Sequence, residues 1–203
     1  MLELLPEFLL GFGNYFKTNL FIAFCTLIVG LLGGAILGFM HSRNGSILSK
    51  LASPVISLLR AFPVFVLMFV LWNFIPRSQN TSINYFISDP DMILILALSA
   101  FSVSSLSDIV SDALHFKYMG DSERVWLVIP NIFRTFVTLV LSTSIGAAIG
   151  VKEAVTYSLV FSDGLADRSD KLLLILIASI LFALFFGISR MILDYMTFRF
   201  KAA

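Results

Sequence analysis

The chain has 203 residues, 58% of them hydrophobic and 13% charged, with 21 phenylalanines and a net charge of +1. Soluble domains carry about 25% charged residues, so this composition excludes a water-soluble globular protein and points to a polytopic helical membrane protein. A near-neutral chain offers no basic face to nucleic acid, and the single cysteine, Cys25, excludes a disulfide framework or a Cys-based metal site.

The N-terminus, MLELLPEFLLGFGNYFKTN, has neither the basic start nor the small-residue cleavage site of a secretory signal. Glu3 and Glu7 lie one helical turn apart, which predicts a short amphipathic interfacial helix over 1–18, ahead of a single membrane domain over 19–203. The uncharged run 19–40 is long enough to cross a hydrocarbon core, which takes about 20 helical residues. A second span is expected over 51–75, interrupted by Arg60 and Pro63. A third covers 92–114, with Asp108 and Asp112 near its end, and a fourth covers 130–151, with Arg134 in its first turns. The polar stretch SDGLADRSDK, 162–171, reads as a loop, and the last span covers 172–188 before Arg190. The expected fold class is therefore all-α, with five transmembrane helices.

Five spans place the termini on opposite sides, and the Lys/Arg bias sets the orientation. One side collects Arg43, Lys50, Lys117, Arg124, Arg134, Arg190, Arg199 and Lys201, with Arg60 slightly deeper. The other has Lys17, Arg77, Lys152, Arg168 and Lys171, offset by Glu3, Glu7, Asp89, Asp91, Glu153, Asp163, Asp167 and Asp170. The first side is read as cytoplasmic, which puts the N-terminus outside. His41 and His115 fall next to span ends and lack partners for a metal site, so they read as interfacial residues.

Two rows of small residues recur every four positions: Gly30, Gly34 and Gly38 in the first span, and Ser142, Gly146 and Gly150 in the fourth. Such rows let helix backbones approach closely, either within the chain or at a subunit interface. Ionisable groups inside spans face protein or water. Asp108 and Asp112 share a helical face, with Arg60 and Arg134 as available cations. They read either as an ion-pair cluster at the inner interface or, for Asp108, as the lining of a translocation path.

Three stretches carry a resemblance. LLRAFPVFVLMFVLW (58–72) resembles the Arg-Gly-Thr-Pro segment that opens the second core helix in inner-membrane permeases of binding-protein-dependent ABC importers, the polar amino acid uptake branch above all. Arg60 and Pro63 match, while Ala61 and Phe62 replace the usual Gly and Thr. TSIGAAIGVKEAV (143–155) is similar to the family's Thr-Ser-Leu…Ile-Gly-Val-x-Glu-Leu stretch, with Thr143, Ser144, Ile149, Gly150, Val151 and Glu153 in register. GNYFKTNLFIAFCTLIVGLLGGAILGFMHSR resembles the Gly…Thr…Leu opening and Gly-rich first core helix. Between the third and fourth spans the family carries a coupling loop with a Glu-Ala-Ala motif that docks on the ATPase. Asp108-Ile109 takes the place of an acidic-Ile pair there, Gly120 that of a turn glycine, and Glu123 the first position of Glu-Ala-Ala. Arg124 and Val125 stand where alanines belong, and the second half of the loop is missing, which makes it a shortened, degenerate coupling loop.

The resemblance implies a five-helix, type I importer (MetI-like) permease subunit in a bacterial cytoplasmic membrane. Its implied partners are cytoplasmic ATPase subunits, a second permease subunit in a homo- or heterodimer, an extracytoplasmic solute-binding protein and the lipid bilayer. The solute would be small, an amino acid by resemblance. Arg60, Asp108, Arg134 and Thr143 are the candidates for path-lining or gating, and Gly120, Asp121, Glu123 and Arg124 for the ATPase-facing surface. The alternative is a permease-derived scaffold or regulatory subunit without transport of its own. A fourth stretch, DGLADR (163–168), is similar to the opening of the CDP-alcohol phosphotransferase motif, but Asp167 stands where that motif has Arg and its later aspartates do not follow. No phosphate-binding glycine loop, His-Glu-x-x-His or Gly-x-Ser-x-Gly occurs. The chain is thus expected to be no enzyme and to need no cofactor of its own, with ATP hydrolysis in a separate chain.

Overall fold

A computed structural model describes residues 4–43, 45–75 and 88–201, with the side chains of all but 122, 123, 200 and 201, and its regular structure is helical throughout. Glu3 and Arg77, counted above in the charge bias, lie outside the described residues.

The first helix, α1, runs unbroken over Leu5–Ser42, with Pro6 in its first turn where a missing N–H costs nothing. The separate interfacial helix expected at the N-terminus is instead the opening of α1. Nothing between Leu5 and Ser42 stops a helix, and Phe8 and Phe12 are buried in an aromatic cluster rather than free to lie on lipid. Its 38 residues make a rod about 57 Å long at ~1.5 Å per residue.

Gly45, in the left-handed region at φ +79°, and the Ser46 cap turn the chain into α2 (Ile47–Ala61). Pro63 disfavours helical geometry at Phe62, and both residues are extended, so the chain bends by 88° into α3 (Val64–Phe74). The expected second span is therefore a bent pair rather than an interrupted rod. After the undescribed stretch, Asp89 caps α4 (Pro90–Tyr118), which ends in a tight Gly120 turn. A single turn, α5 (Ser122–Val125), leads into α6 (Val128–Ser142), which tightens into a 3-10 segment over Thr143–Ile149. Then come α7 (Ala154–Asp163) and the long α8 (Arg168–Lys201). The loop expected over 162–171 is thus mostly helix, and only 164–167 is left to make the turn.

The glycine row of α1 decides how the bundle is laid out. A Cβ on Gly30 would meet Ser102, on Gly33 Val103, on Gly34 Leu106, and on Gly38 the Ser107 carbonyl and Val110. The numbers climb together on both helices, so α1 and α4 run parallel and in contact. The row serves packing within the chain. The chain between two parallel neighbours has to return to the starting end, and α3, which packs on α4, lies on that return path. Among the described residues four helices are long and apolar enough to span a membrane, and the α2–α3 pair, bent by 88°, meets the same test only when counted as one segment. The second row does not form a straight ridge. The 3-10 segment has ~3.0 residues per turn, so Ser142, Gly146 and Gly150 leave a common face.

Two clusters make the interior. The larger joins Ile22, Leu27, Met68, Leu94, Leu98, Leu106 and Leu139 across α1, α3, α4 and α6, with Val151 from the turn after the 3-10 segment. The smaller joins Phe8, Phe12, Ala154, Leu174 and Ala178 at the N-terminal end of the bundle. Serines 99, 104 and 107 face this interior because each hydroxyl donates to a carbonyl of its own helix.

Candidate functional site: two polar ends of a helical bundle

At the N-terminal end of the bundle, α1, the 3-10 segment and α7 meet around three fully buried polar side chains, Asn19, Thr143 and Glu153. Gly150 adopts φ +87° and closes a Schellman turn, with Val151 N–H donating to the Gly146 carbonyl and Gly150 N–H to that of Ala147. This turn delivers Glu153 to the N-cap of α7. Its carboxylate accepts from Thr156 N–H at 2.7 Å, Val155 N–H at 2.9 Å, Asn19 Nδ2 at 2.9 Å and Thr156 Oγ1 at 3.0 Å. Those four donors are neutral, and with the positive end of α7 they replace the water that a buried carboxylate gives up. Asn19 is used completely: Nδ2 also donates to Thr143 Oγ1 at 2.8 Å, and Oδ1 accepts from Ala154 N–H at 3.1 Å. Thr143 in turn donates to the Val140 carbonyl at 2.7 Å.

Alongside, Tyr15 and Tyr157 stack at 4.8 Å between ring centres, and the Tyr157 hydroxyl lies where a Cβ on Gly11 would be. Burial first, then the nearby Glu7 carboxylate and Tyr15, push the Tyr157 phenol above its ordinary value, so it stays neutral at physiological pH.

The opposite end of the bundle is open. Arg60, in the last turn of α2, pairs with Asp108 on α4, and the two side chains are 58% and 46% exposed. Arg134 does not join them. It lines a cavity of about 310 Å³ between α6 and α8, together with Thr138, Ser189, Arg190 and Asp194. Ser189 is buried, whereas the charged groups are exposed. The four path candidates therefore fall in three places: a pair at α2–α4, a cavity at α6–α8, and, for Thr143, the sealed hub at the other end. Thr143 lines no opening of this chain because both its hydroxyl contacts are already made inside the protein.

The loop between α4 and α6 is short and ordered by its own atoms. Gly120, at φ +77°, closes a second Schellman turn in which Asp121 N–H donates to the Phe116 carbonyl. Asp121 then caps α5, accepting from Arg124 N–H at 3.3 Å, while the Arg124 guanidinium pairs with it at 3.0 Å and sits over the Phe116 ring. The Glu123 side chain, expected to face the ATPase, lies outside the described ones. Tyr118, Met119 and Trp126 present apolar surface on both sides of this turn.

Several residues of these sites were missed in the sequence. Asn19 was read only as the start of a span, although an amide inside an otherwise apolar run is itself a signal. Glu153 stands in the sequence as an outer charge and as a match to the Ile-Gly-Val-x-Glu-Leu stretch, with no sign of its burial against Asn19. Asp194 went unnoticed, although it lies four residues after Arg190. Among the described residues no group of three His, Cys, Asp or Glu side chains is placed to hold a metal ion; Asp163 ends α7 and Asp167 lies in the α7–α8 turn.

No protein-family model and no curated protein sequence matches the chain. Solved structures do. The chain is similar to the crystal structure of an amino acid ABC transporter with histidines, at TM-score 0.76 and 12% identity, over 96% of each chain. The chain has the MetI-like permease fold. It is also similar to inward-facing conformations of the MetNI methionine ABC transporter, at TM-score 0.59 and 17% identity, over 91% of this chain and 95% of that one. A second crystal form of MetNI matches at TM-score 0.59 and 18% identity. These neighbours are transmembrane permease chains, not catalytic subunits. At such identities the likeness lies in the path of the backbone. It extends over nearly the whole of each chain.

Proposed function

We propose that this chain is the membrane-spanning permease subunit of an ABC importer that moves a small zwitterionic solute such as an amino acid. The observation that carries the reading is the match to an amino acid ABC transporter over 96% of each chain. In this reading the loop end is cytoplasmic, consistent with Arg43, Lys50, Lys117, Arg124, Arg134 and Arg190 gathering there. The N-terminus is then outside, in a bacterial inner membrane, and the first turns of α1 rise beyond a hydrocarbon core about 30 Å thick, towards the solute-binding protein.

Each polar group at the loop end has a task in this reading. The cavity between α6 and α8 offers Arg134 and Arg190 for a carboxylate and Asp194 for an ammonium group, the charge pattern of a zwitterion. The Arg60–Asp108 pair ties α2 to the path-forming α4, so breaking and remaking it gates the exit. Gly120, Asp121, Glu123 and Arg124 form the ATPase-facing turn, with Tyr118, Met119 and Trp126 as its apolar contact. A second permease subunit completes the path, since the polar groups of one chain lie in separate places.

The test is purification of the complex from native membrane, followed by reconstitution with its binding protein. Co-purification of an ATPase, with ATP turnover stimulated by an amino acid and lost in Arg134→Gln, is the expected result. A stable complex without an ATPase would overturn the importer reading and leave the scaffold. Full solute stimulation in Arg134→Gln would remove the cavity from the path.

A further inference from the structure

The bend at Pro63 leaves α2 at right angles to α3, and the contacts at its two ends show how it lies. Near its start, Ser49 donates to the His41 carbonyl in the last turn of α1. At its end, Arg60 reaches Asp108 on α4. These anchors are at similar depth: Gly38 lies against Ser107 and Val110, which puts His41 about level with residue 111 of the parallel α4. The depth difference between the ends of α2 is then under about 10 Å, while a helix of 15 residues is about 22 Å long. So α2 runs across the ends of α1 and α4 instead of along them.

Its surface is divided accordingly. Ala52 and Ile56 are buried against the bundle. Ile47, Leu48, Leu51, Val55 and Leu58 are all exposed, at 77%, 40%, 58%, 44% and 58%. At ~100° per residue these five fall within an arc of about 100°. Lys50, Ser53, Ser57 and Arg60 occupy the roughly opposite arc. A helix in the bundle plane, with one face on protein, one polar and one apolar and bare, matches a lipid–water boundary on each side.

We propose that α2 is an in-plane amphipathic helix that inserts its Ile47–Leu51–Val55–Leu58 row into the acyl layer of the leaflet at the loop end. The occupant of this face is lipid and not a second protein chain. The apolar row is one helix wide and is bounded by the polar row, too narrow for the apolar core of a stable protein interface. The cations at this end, Arg43 and Lys50 among them, complement an anionic leaflet. The polar row faces the aqueous side, and the Arg60–Asp108 pair pins the helix to α4. This anchoring holds whichever solute the chain moves.

The experiment uses the full chain, with Cys25→Ser to remove the single cysteine, reconstituted in vesicles of phosphatidylethanolamine and phosphatidylglycerol. Nitroxides are placed one at a time through Leu51→Cys, Leu58→Cys, Lys50→Cys and Ser57→Cys. At 51 and 58, collision with oxygen should exceed collision with a water-soluble nickel chelate several-fold, and the order should reverse at 50 and 57. Leu51 and Leu58 sites shielded from both reagents would mean a protein partner covers the row. Sites open to nickel would mean the helix lies in water. Either outcome overturns the proposal. The unsubstituted chain gives a second reading: a photoreactive phospholipid should label residues within 47–58, and no label there would also overturn it.

Discussion

The two polar ends of this bundle use the same kinds of residue for opposite purposes. At the N-terminal end, Glu153, Asn19 and Thr143 are sealed from solvent, and Asn19 ties the other two together across elements while local backbone groups satisfy the rest. At the loop end, Arg60, Asp108, Arg134, Arg190 and Asp194 are solvent-accessible, held by one exposed ion pair and a cavity wall. A carboxylate that satisfies a helix cap and an amide together has one geometry. A carboxylate shared with a flexible arginine at an open surface has many. The first end is fixed by its hydrogen bonds, and the second leaves its charged groups accessible.

Substitutions at the closed end should have the largest effect on folding. Glu153→Ala strands the Asn19 amide and the Val155 and Thr156 N–H groups, each worth about 1–3 kcal/mol when buried without a partner. Stability in detergent, measured by chemical unfolding, should fall by about 3 kcal/mol or more, and by less in Glu153→Gln. An unchanged unfolding midpoint in Glu153→Ala would show that the hub carries no load.

The α1–α4 contact between the ends should give an intermediate effect. A Cβ on Gly34 would come within 2.7 Å of Leu106 Cβ and 3.0 Å of backbone atoms at 106 and 107. Backbone cannot swing aside as a side-chain end can, so Gly34→Ala should cost about 1–3 kcal/mol. Gly13, on the same helix, has nothing within 4 Å of such a Cβ. Gly13→Ala should be neutral or stabilise by up to about 1 kcal/mol through helix propensity. Equal effects at the two glycines, read as melting temperatures, would refute the close-approach argument.

The open end should show the smallest stability effect and the largest functional one. Because Arg60 and Asp108 are about half exposed, Arg60→Gln or Asp108→Asn should change stability by less than about 1 kcal/mol. Under the proposed gate, both should uncouple ATP turnover from solute, and the exchange Arg60→Asp with Asp108→Arg should restore part of the coupling. Normal solute-stimulated turnover in both single variants would assign the pair to packing alone.

Much of this molecule was legible because membrane proteins write their crossings in long apolar runs. The four long apolar helices and the glycine row on α1 follow from local residue chemistry, apolar length and missing side chains, whereas the turn at Gly120 was legible through the family resemblance and the choice of Arg60 over Arg134 as the partner of Asp108 was not. The 88° bend was half visible in Pro63, which warns of a break but not of its angle. Other features were beyond local reading. Residues 5–18 look amphipathic by themselves, and only the aromatic cluster with Tyr157, Phe161 and Phe182 makes them part of α1's packing. Asn19 and Glu153 lie 134 positions apart. No periodicity links residues so distant, since the bond between them exists only once the 3-10 segment and the Gly150 turn have folded α7 back onto α1. The sequence alone determined where the long apolar helices lie and where their backbones can touch. The tertiary structure decided which polar residues are sealed into the scaffold and which are left open for chemistry, because burial belongs to neighbours brought together from across the chain.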